Sequence, residues 1–318
     1  MASATDIVRA ARLRSHGEPL AIEEVSLPEP AEGEVRVDLD FGGVNPIDRY
    51  TAEGRVSPDG PLPRTLGGEA SGTCGGRPVL VAGEGLGAAR DGVWAQAANV
   101  PAGAVVELPE GMAPRAAAAM GIAGLTAHNC ARGIAKVTSE DRVLVLGASG
   151  GVGSMLVSLA ASAGAMVWGQ TGSKDKADHI AEHGASRVLV SGSEGLAAAL
   201  SEFEPTVVFD PLGDGFVAPA IEAIAVRGRL VSLGVSAGAE VTFNMQMLYR
   251  KMVSVLGYGG TQLTSEERRS GLQEALGTLE RGELKVRIDE VLALDRVNEA
   301  LSRFAERRVQ GNLLLDLS

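Results

Sequence analysis

A chain of 318 residues with an apolar fraction of 45% can fill two ordinary cores without disulfide or metal staples. Its formal net charge is -11 and it has no run of basic residues, so its field repels phosphate backbones and argues against a nucleic-acid partner. The two cysteines, Cys74 and Cys130, have neither metal-ligand spacing nor scaffold density, and no window offers the roughly 18 uninterrupted apolar residues of a membrane helix, so a reducing, cytoplasmic setting away from the membrane is expected.

The arginine-rich stretch 7–14 alternates apolar and basic residues and ends at the turn His16-Gly17-Glu18-Pro19, which predicts a first β-strand, not a transit peptide. Up to about residue 115 the pattern is one of short alternations broken by Gly and Pro, such as the strand predicted over 34–41. Around 116–120 the sequence becomes alanine-rich and suited to helix, and from Arg142 strands and helices alternate. Residues 143–146 form a continuous apolar run, as in a strand covered on both faces. Val152, Leu156, Leu159, Ala160 and Ala163 then recur at helical spacing until Gly164. A second strand is expected over 165–168, a helix over 173–183, and further strands over 187–190, 206–209 and 229–233. Two helices, near 265–281 and 296–309, precede a closing strand over 313–317. The alternation defines a doubly wound α/β domain, and no internal repeat is evident.

Ala148-Ser149-Gly150-Gly151-Val152-Gly153 lies between a predicted strand and a predicted helix, the context required of a dinucleotide fingerprint. Gly150 permits close approach of a pyrophosphate, Gly153 permits helix and strand to pack, and the helix start offers free N–H groups with partial positive charge. The alternative is a glycine-rich turn with no ligand. Some 20 residues further on, NAD binders place an acid on the ribose. Here the segment is Gln170-Thr171-Gly172-Ser173-Lys174-Asp175-Lys176, with no carboxylate at the strand end and two lysines that suit a 2′-phosphate. Asp175 weakens that inference, and solvated lysines at a helix start are the other reading. His179 and His183 have metal-like spacing, but a solvated pair at a helix C-terminus is the expectation.

In order along the chain, Gly43-Val44-Asn45-Pro46-Ile47-Asp48-Arg49-Tyr50, Leu66-Gly67-Gly68-Glu69-Ala70-Ser71-Gly72, residues 121–127, the fingerprint and Arg227-Gly228-Arg229-Leu230-Val231 resemble the zinc-free quinone oxidoreductase-like branch of the medium-chain dehydrogenase/reductase superfamily. The similarity spans nearly the whole chain. It implies a GroES-like partial β-barrel over 1–118, completed by 262–318, and a Rossmann domain over 119–261, with the active cleft where they meet. It implies NADP(H) as cofactor, with Asn45 and Thr126 at the nicotinamide and Ser149, Gly150, Gly151, Val152 and Gly153 at the pyrophosphate. Gly172, Ser173 and Lys176 fall at the 2′-phosphate, and Leu233, Gly234 and Ser236 at the far side of the nicotinamide. Asn312 is a further cofactor candidate, and Tyr50 is the candidate to orient or protonate substrate oxygen, with a cleft-wall tyrosine as the alternative.

Zinc alcohol dehydrogenases of the superfamily place Cys where Asn45 stands and His where Gly68 stands, so no metal is expected. None of Tyr50, Tyr249 or Tyr258 has a Lys four positions later, which sets aside the short-chain reductases. The chain departs from the branch in a shortened hairpin after Gly72 and in lacking tyrosines near Val56 and Ser191, while 78–87 looks more like the acrylyl-coenzyme A reductases. The expected reaction is hydride transfer from NADPH to a quinone or conjugated enone. Reduction of an enoyl thioester or biosynthetic enone, and a non-catalytic NADPH-binding sensor, are the alternatives. Leu248, Met252, Val253, Val255 and Leu256 fall near an expected edge strand where this branch forms homodimers; core packing would explain them as well.

Overall fold

Period-two alternation sets the strands of the first half: on one strand Val37 and Leu39 are buried while Asp38 between them faces solvent. The computed structural model describes residues 6–318. The chain divides into two units, one built from the residues up to Leu125 with Leu263–Glu280 and Arg287–Ser318, the other from Thr126–Gln262 with Arg281–Val286.

In the first unit the strands are β1 (Asp6–Leu13), β2 (Ala21–Leu27), β3 (Glu34–Val44), β4 (Arg64–Thr65), β5 (Glu69–Cys74), β6 (Arg77–Ala82), β7 (Ala97–Pro101) and β8 (Val105–Glu107). In the second they are β9 (Arg142–Val145), β10 (Met166–Thr171), β11 (Arg187–Val190), β12 (Val207–Asp210), β13 (Arg229–Ser232) and β14 (Ser254–Gly257). The chain then returns to the first unit with β15 (Ile288–Ala293) and β16 (Asn312–Asp316).

β1 joins β2 and β4 in a small antiparallel sheet, and β15-β16-β3-β5-β6-β8 form a mixed sheet, parallel between β15 and β16 and antiparallel elsewhere, with β7 also paired to β3. The C-terminal strand β16 thus lies beside β3, with Leu313 opposite Val44. Their side chains share a core with Leu66, Val81, Trp94 and Leu292. This is the GroES-like half of an α/β protein.

The second unit is a parallel sheet in the order β11-β10-β9-β12-β13-β14, the doubly wound order whose direction reverses between β9 and β12. Val143, Leu144 and Val145 are fully buried, as strands covered on both faces must be. The helix Gly151–Ser162 follows β9 and buries Met155, Leu156, Leu159 and Ala160. No helix among the described residues is long and apolar enough to cross a membrane.

The first unit runs through Leu125, with the Ile122 N–H donating to Glu69 of β5, and residues 281–286 belong to the second unit. Several expectations need correction. The alanine-rich stretch does not make one long helix: it breaks into Pro114–Ala117, a π-helical turn Met120–Gly124 and short segments after it. The helix expected over 173–183 is a 3-10 turn Lys174–Lys176 followed by Ala177–Glu182, and β10 runs on to Thr171. The helix expected over 296–309 is confined to Val297–Ala305. His179 and His183 are not solvated: both are buried, their rings meet edge to face at 4.4 Å, and His183 Nδ1 lies 2.9 Å from the His179 carbonyl.

Candidate functional site

The second unit gathers its predicted residues at the C-terminal ends of its strands. β9 runs into Gly147, whose φ of +57° is the left-handed conformation that glycine adopts freely. The chain then enters the helix Gly151–Ser162 through Gly150 as N-cap, in extended conformation and with no side-chain cap. The Gly150 N–H turns back to the Gly147 carbonyl at 3.2 Å, and no side chain caps the first turn, whose N–H groups suit a ligand anion. A Cβ on Gly153 would lie 2.3 Å from the Gly147 carbonyl oxygen, so helix and turn pack as closely as the fingerprint requires. A Cβ on Gly150 would meet nothing nearer than 3.6 Å, which leaves its outer side open.

A residue without an assigned role in the sequence secures this turn. Gln170, buried on β10, accepts the Gly147 N–H through Oε1 at 3.0 Å and donates through Nε2 to the Ser191 carbonyl at 2.5 Å. Next to it, Ser149 Oγ lies 3.4 Å from Thr171 Oγ1, which ties the fingerprint to the end of β10. The 2′-phosphate candidates follow at once. Gly172 is exposed and open on all sides, while the Ser173 hydroxyl donates to Asp175, whose carboxyl group that bond holds below its usual range. Asp175 therefore occupies a hydroxyl that a 2′-phosphate would have to recruit. Across the strand-order reversal, Leu233 N–H donates to Asp210, and Ser236 donates through both N–H and Oγ to Pro211. Asp210 is fully buried, accepts from the N–H groups of Leu212 and Gly213, and is pushed upward in pKa by burial. It shapes the same loop, and its carboxylate at a strand end was the overlooked signal. Thr126 lies half-buried in the short helix Leu125–His128.

In the first unit the predicted Asn45 sits at the junction of β3 and the helix Pro46–Ala52, with Pro46 preorganising the first turn. Its backbone N–H donates to Asp48 at 2.7 Å, half of a capping box. Its side-chain Nδ2 lies 2.5 Å from Glu69 Oε1, and Glu69 Oε2 accepts the Ile122 N–H at 2.7 Å. Both acids are buried, and burial raises Asp48 to about 7 and Glu69 to about 8, with the Asp48 charge adding to the second shift. Sequence reasoning quoted these acids within motifs but gave them no role; the acid Glu69 directly after Gly67-Gly68 was the available signal. Because Leu313 pairs with Val44 in antiparallel register, the next residues of the two strands are Asn312 and Asn45. Asn312 Nδ2 is engaged by the Arg287 carbonyl at 3.1 Å. Tyr50, on the same helix as Asp48, has the guanidinium of Arg55 4.4 Å and that of Arg49 5.2 Å from its ring centroid.

As zinc ligands these residues are a poor fit: Gly68 has no side chain to donate, Asn45 offers a neutral amide, and among the described residues no three His, Cys, Asp or Glu side chains are grouped to hold a metal ion.

Comparison with known proteins adds the following. Residues 151–277 match the family model described as zinc-binding dehydrogenase. The quinone oxidoreductase of Salmonella typhimurium strain LT2 is 30% identical over 325 residues, covering 94% of this chain and 97% of that one. The protein named "Probable acrylyl-CoA reductase AcuI" from Escherichia coli K12 is 27% identical over 270 residues, 81% of this chain and 82% of its own. The crystal structure of Bacillus subtilis yhfP with NAD bound superposes with a TM-score of 0.84 at 25% identity, covering 98% of this chain and all of that one.

Proposed function

Because the chain belongs to the quinone oxidoreductase-like branch of the medium-chain dehydrogenase/reductase superfamily, we propose that it is an NADPH-dependent reductase that delivers hydride to a quinone or conjugated enone without zinc. The observation that supports this most is the uncapped helix start behind Gly147 and Gly150, braced by Gln170 and open to an anion.

Bound NADPH would supply the hydride; the protein supplies placement and electrostatics. Ser149, the open backbone at Gly150 and the N–H groups of Gly151, Val152 and Gly153 would hold the pyrophosphate. Gly172, Ser173 and Lys176 would hold the 2′-phosphate, with the Ser173 hydroxyl turning away from Asp175 to do so. Leu233, Gly234 and Ser236, fixed to Asp210 and Pro211, and Thr126 would bound the nicotinamide within the second unit. In the first unit Asn45 is assigned to the nicotinamide, with Asn312 beside it in register. Tyr50 is assigned to the substrate oxygen, where the two guanidiniums over its ring favour developing negative charge. No step passes through a metal.

The exposed Met245, Tyr249, Met252 and Val255 flank β14, the edge strand of the parallel sheet, whereas Val253 packs into the core. An unpaired apolar edge of this kind is a pairing surface, and we assign it to a homodimer.

Stopped-flow oxidation of NADPH with a panel of quinones, enones and enoyl thioesters tests the reading. Turnover with quinones or free enones is expected. Preference for enoyl thioesters would favour the second reading, which the resemblance over 78–87 and the AcuI relative support. NADPH binding without turnover of any acceptor would indicate a sensor and contradict the enzymatic reading.

A further inference from the structure

Glu69 lies in a cradle that only glycine can line. A Cβ on Gly43 would stand 2.3 Å from its Oε1, and one on Gly121 would stand 2.7 Å from its Oε2. β3 approaches it through Gly43, β6 pairs with it in register at Ala82, and the turn meets it through Gly121 and the Ile122 N–H. The helix Pro46–Ala52 presents Asp48, the ionisable side chain whose charge reaches it. Its one side-chain hydrogen-bond partner among the described residues is Asn45.

We propose that Glu69 is a positioning residue whose carboxyl group sets which end of the Asn45 carboxamide is left to meet the dinucleotide. This rests on the assignment of Asn45 to the nicotinamide. A carboxylate only accepts hydrogen bonds, a carboxylic acid also donates one, and an amide has one donor end and one acceptor end. With Glu69 ionised, Asn45 donates Nδ2–H to Oε1 and keeps Oδ1 for the ligand. With Glu69 protonated, Oε2 still accepts the Ile122 N–H, the Oε1–H donates to Asn45 Oδ1, and the turned amide keeps its NH2 for the ligand. The two arrangements share the same heavy-atom positions. Burial pushes the Glu69 carboxyl up to about 8, so both forms are reachable near neutral pH.

Proton–nitrogen NMR of the Asn45 side-chain amide, followed through pH in the cofactor-free protein, tests this directly. The expected result is a shift with a midpoint near pH 8 that Glu69→Gln abolishes, with loss of a carboxylic-acid infrared band over the same range. NADPH titrated into the same samples should change affinity across that midpoint by roughly tenfold, the scale of one exchanged charge-assisted hydrogen bond, and be flat in Glu69→Gln. An Asn45 amide that does not respond between about pH 6 and 10 in the native protein overturns the proposal even if the variant fails to fold. An amide that responds while NADPH affinity stays constant overturns it too, since the contact would then be structural only. Failure of NADPH to bind at any pH removes the dinucleotide reading itself, and the proposal with it, whatever the amide does.

Discussion

Gly147 donates its backbone N–H to Gln170 Oε1 at 3.0 Å, so the turn that opens the fingerprint hangs on a side chain from the neighbouring strand. Gln170→Ala removes a buried side chain and leaves that half-buried N–H and the half-buried Ser191 carbonyl without their partner. The expected cost is about 1–3 kcal/mol of stability and a loss of dinucleotide affinity that is equal for NADPH and NADH. Chemical denaturation and parallel titrations of both cofactors measure it; a loss confined to NADPH would mean that Gln170 acts on the 2′-phosphate instead.

Cofactor choice is expected to depend on Lys176 and Asp175 with opposite signs. Lys176→Ala should weaken NADPH by roughly 1–3 kcal/mol, the scale of a charge-assisted hydrogen bond, and spare NADH. Asp175→Ala frees the Ser173 hydroxyl and removes a like charge, so NADPH affinity should rise. Fluorescence titration with both cofactors distinguishes this from lysines that only decorate a helix start, for which both substitutions would leave the NADPH-to-NADH ratio unchanged.

How much of this was legible in the sequence differs between the two units. The parallel sheet and its fingerprint were readable because strands covered on both faces give continuous apolar runs and because a phosphate turn needs small residues at fixed spacing. The stretch after residue 116 misled because alanine favours helix in isolation, while the contact of Ile122 with Glu69 imposes a turn there instead. His179 and His183 misled for a related reason: their spacing is local, but their burial is decided by tertiary packing. The acids that organise the first unit's site, Asp48 and Glu69, are separated by 20 residues of strand and loop. Only the folded chain brings Asn45 between them.

The buried acids also predict the pH dependence of stability. Folding raises Asp48 from 3.8 to about 7 and Glu69 from 4.5 to about 8, so between those limits the folded state holds more protons than the unfolded one. Their contribution is fully present below the unfolded values and is lost as pH rises through the folded ones. The stability of the native protein relative to Glu69→Gln should therefore fall from about pH 4.5 to about pH 8. Denaturant midpoints for the two proteins across that window check it; a constant difference would place Glu69 in the ionised form throughout.

The apolar edge at β14 yields a prediction about assembly. Val255 is 48% exposed on an edge strand paired only with β13, so Val255→Lys should convert the proposed dimer into a monomer with unchanged secondary structure. Light scattering coupled to size exclusion reads this, and a native protein that already elutes as a monomer would remove the dimer.

The most direct test of the account is calorimetric titration of the purified chain with NADPH and with NADH. The account predicts saturable binding of NADPH to one site per chain, tighter than NADH and abolished by Gly153→Ala, whose Cβ would stand 2.3 Å from the Gly147 carbonyl oxygen. Failure of both dinucleotides to bind the native chain would contradict it.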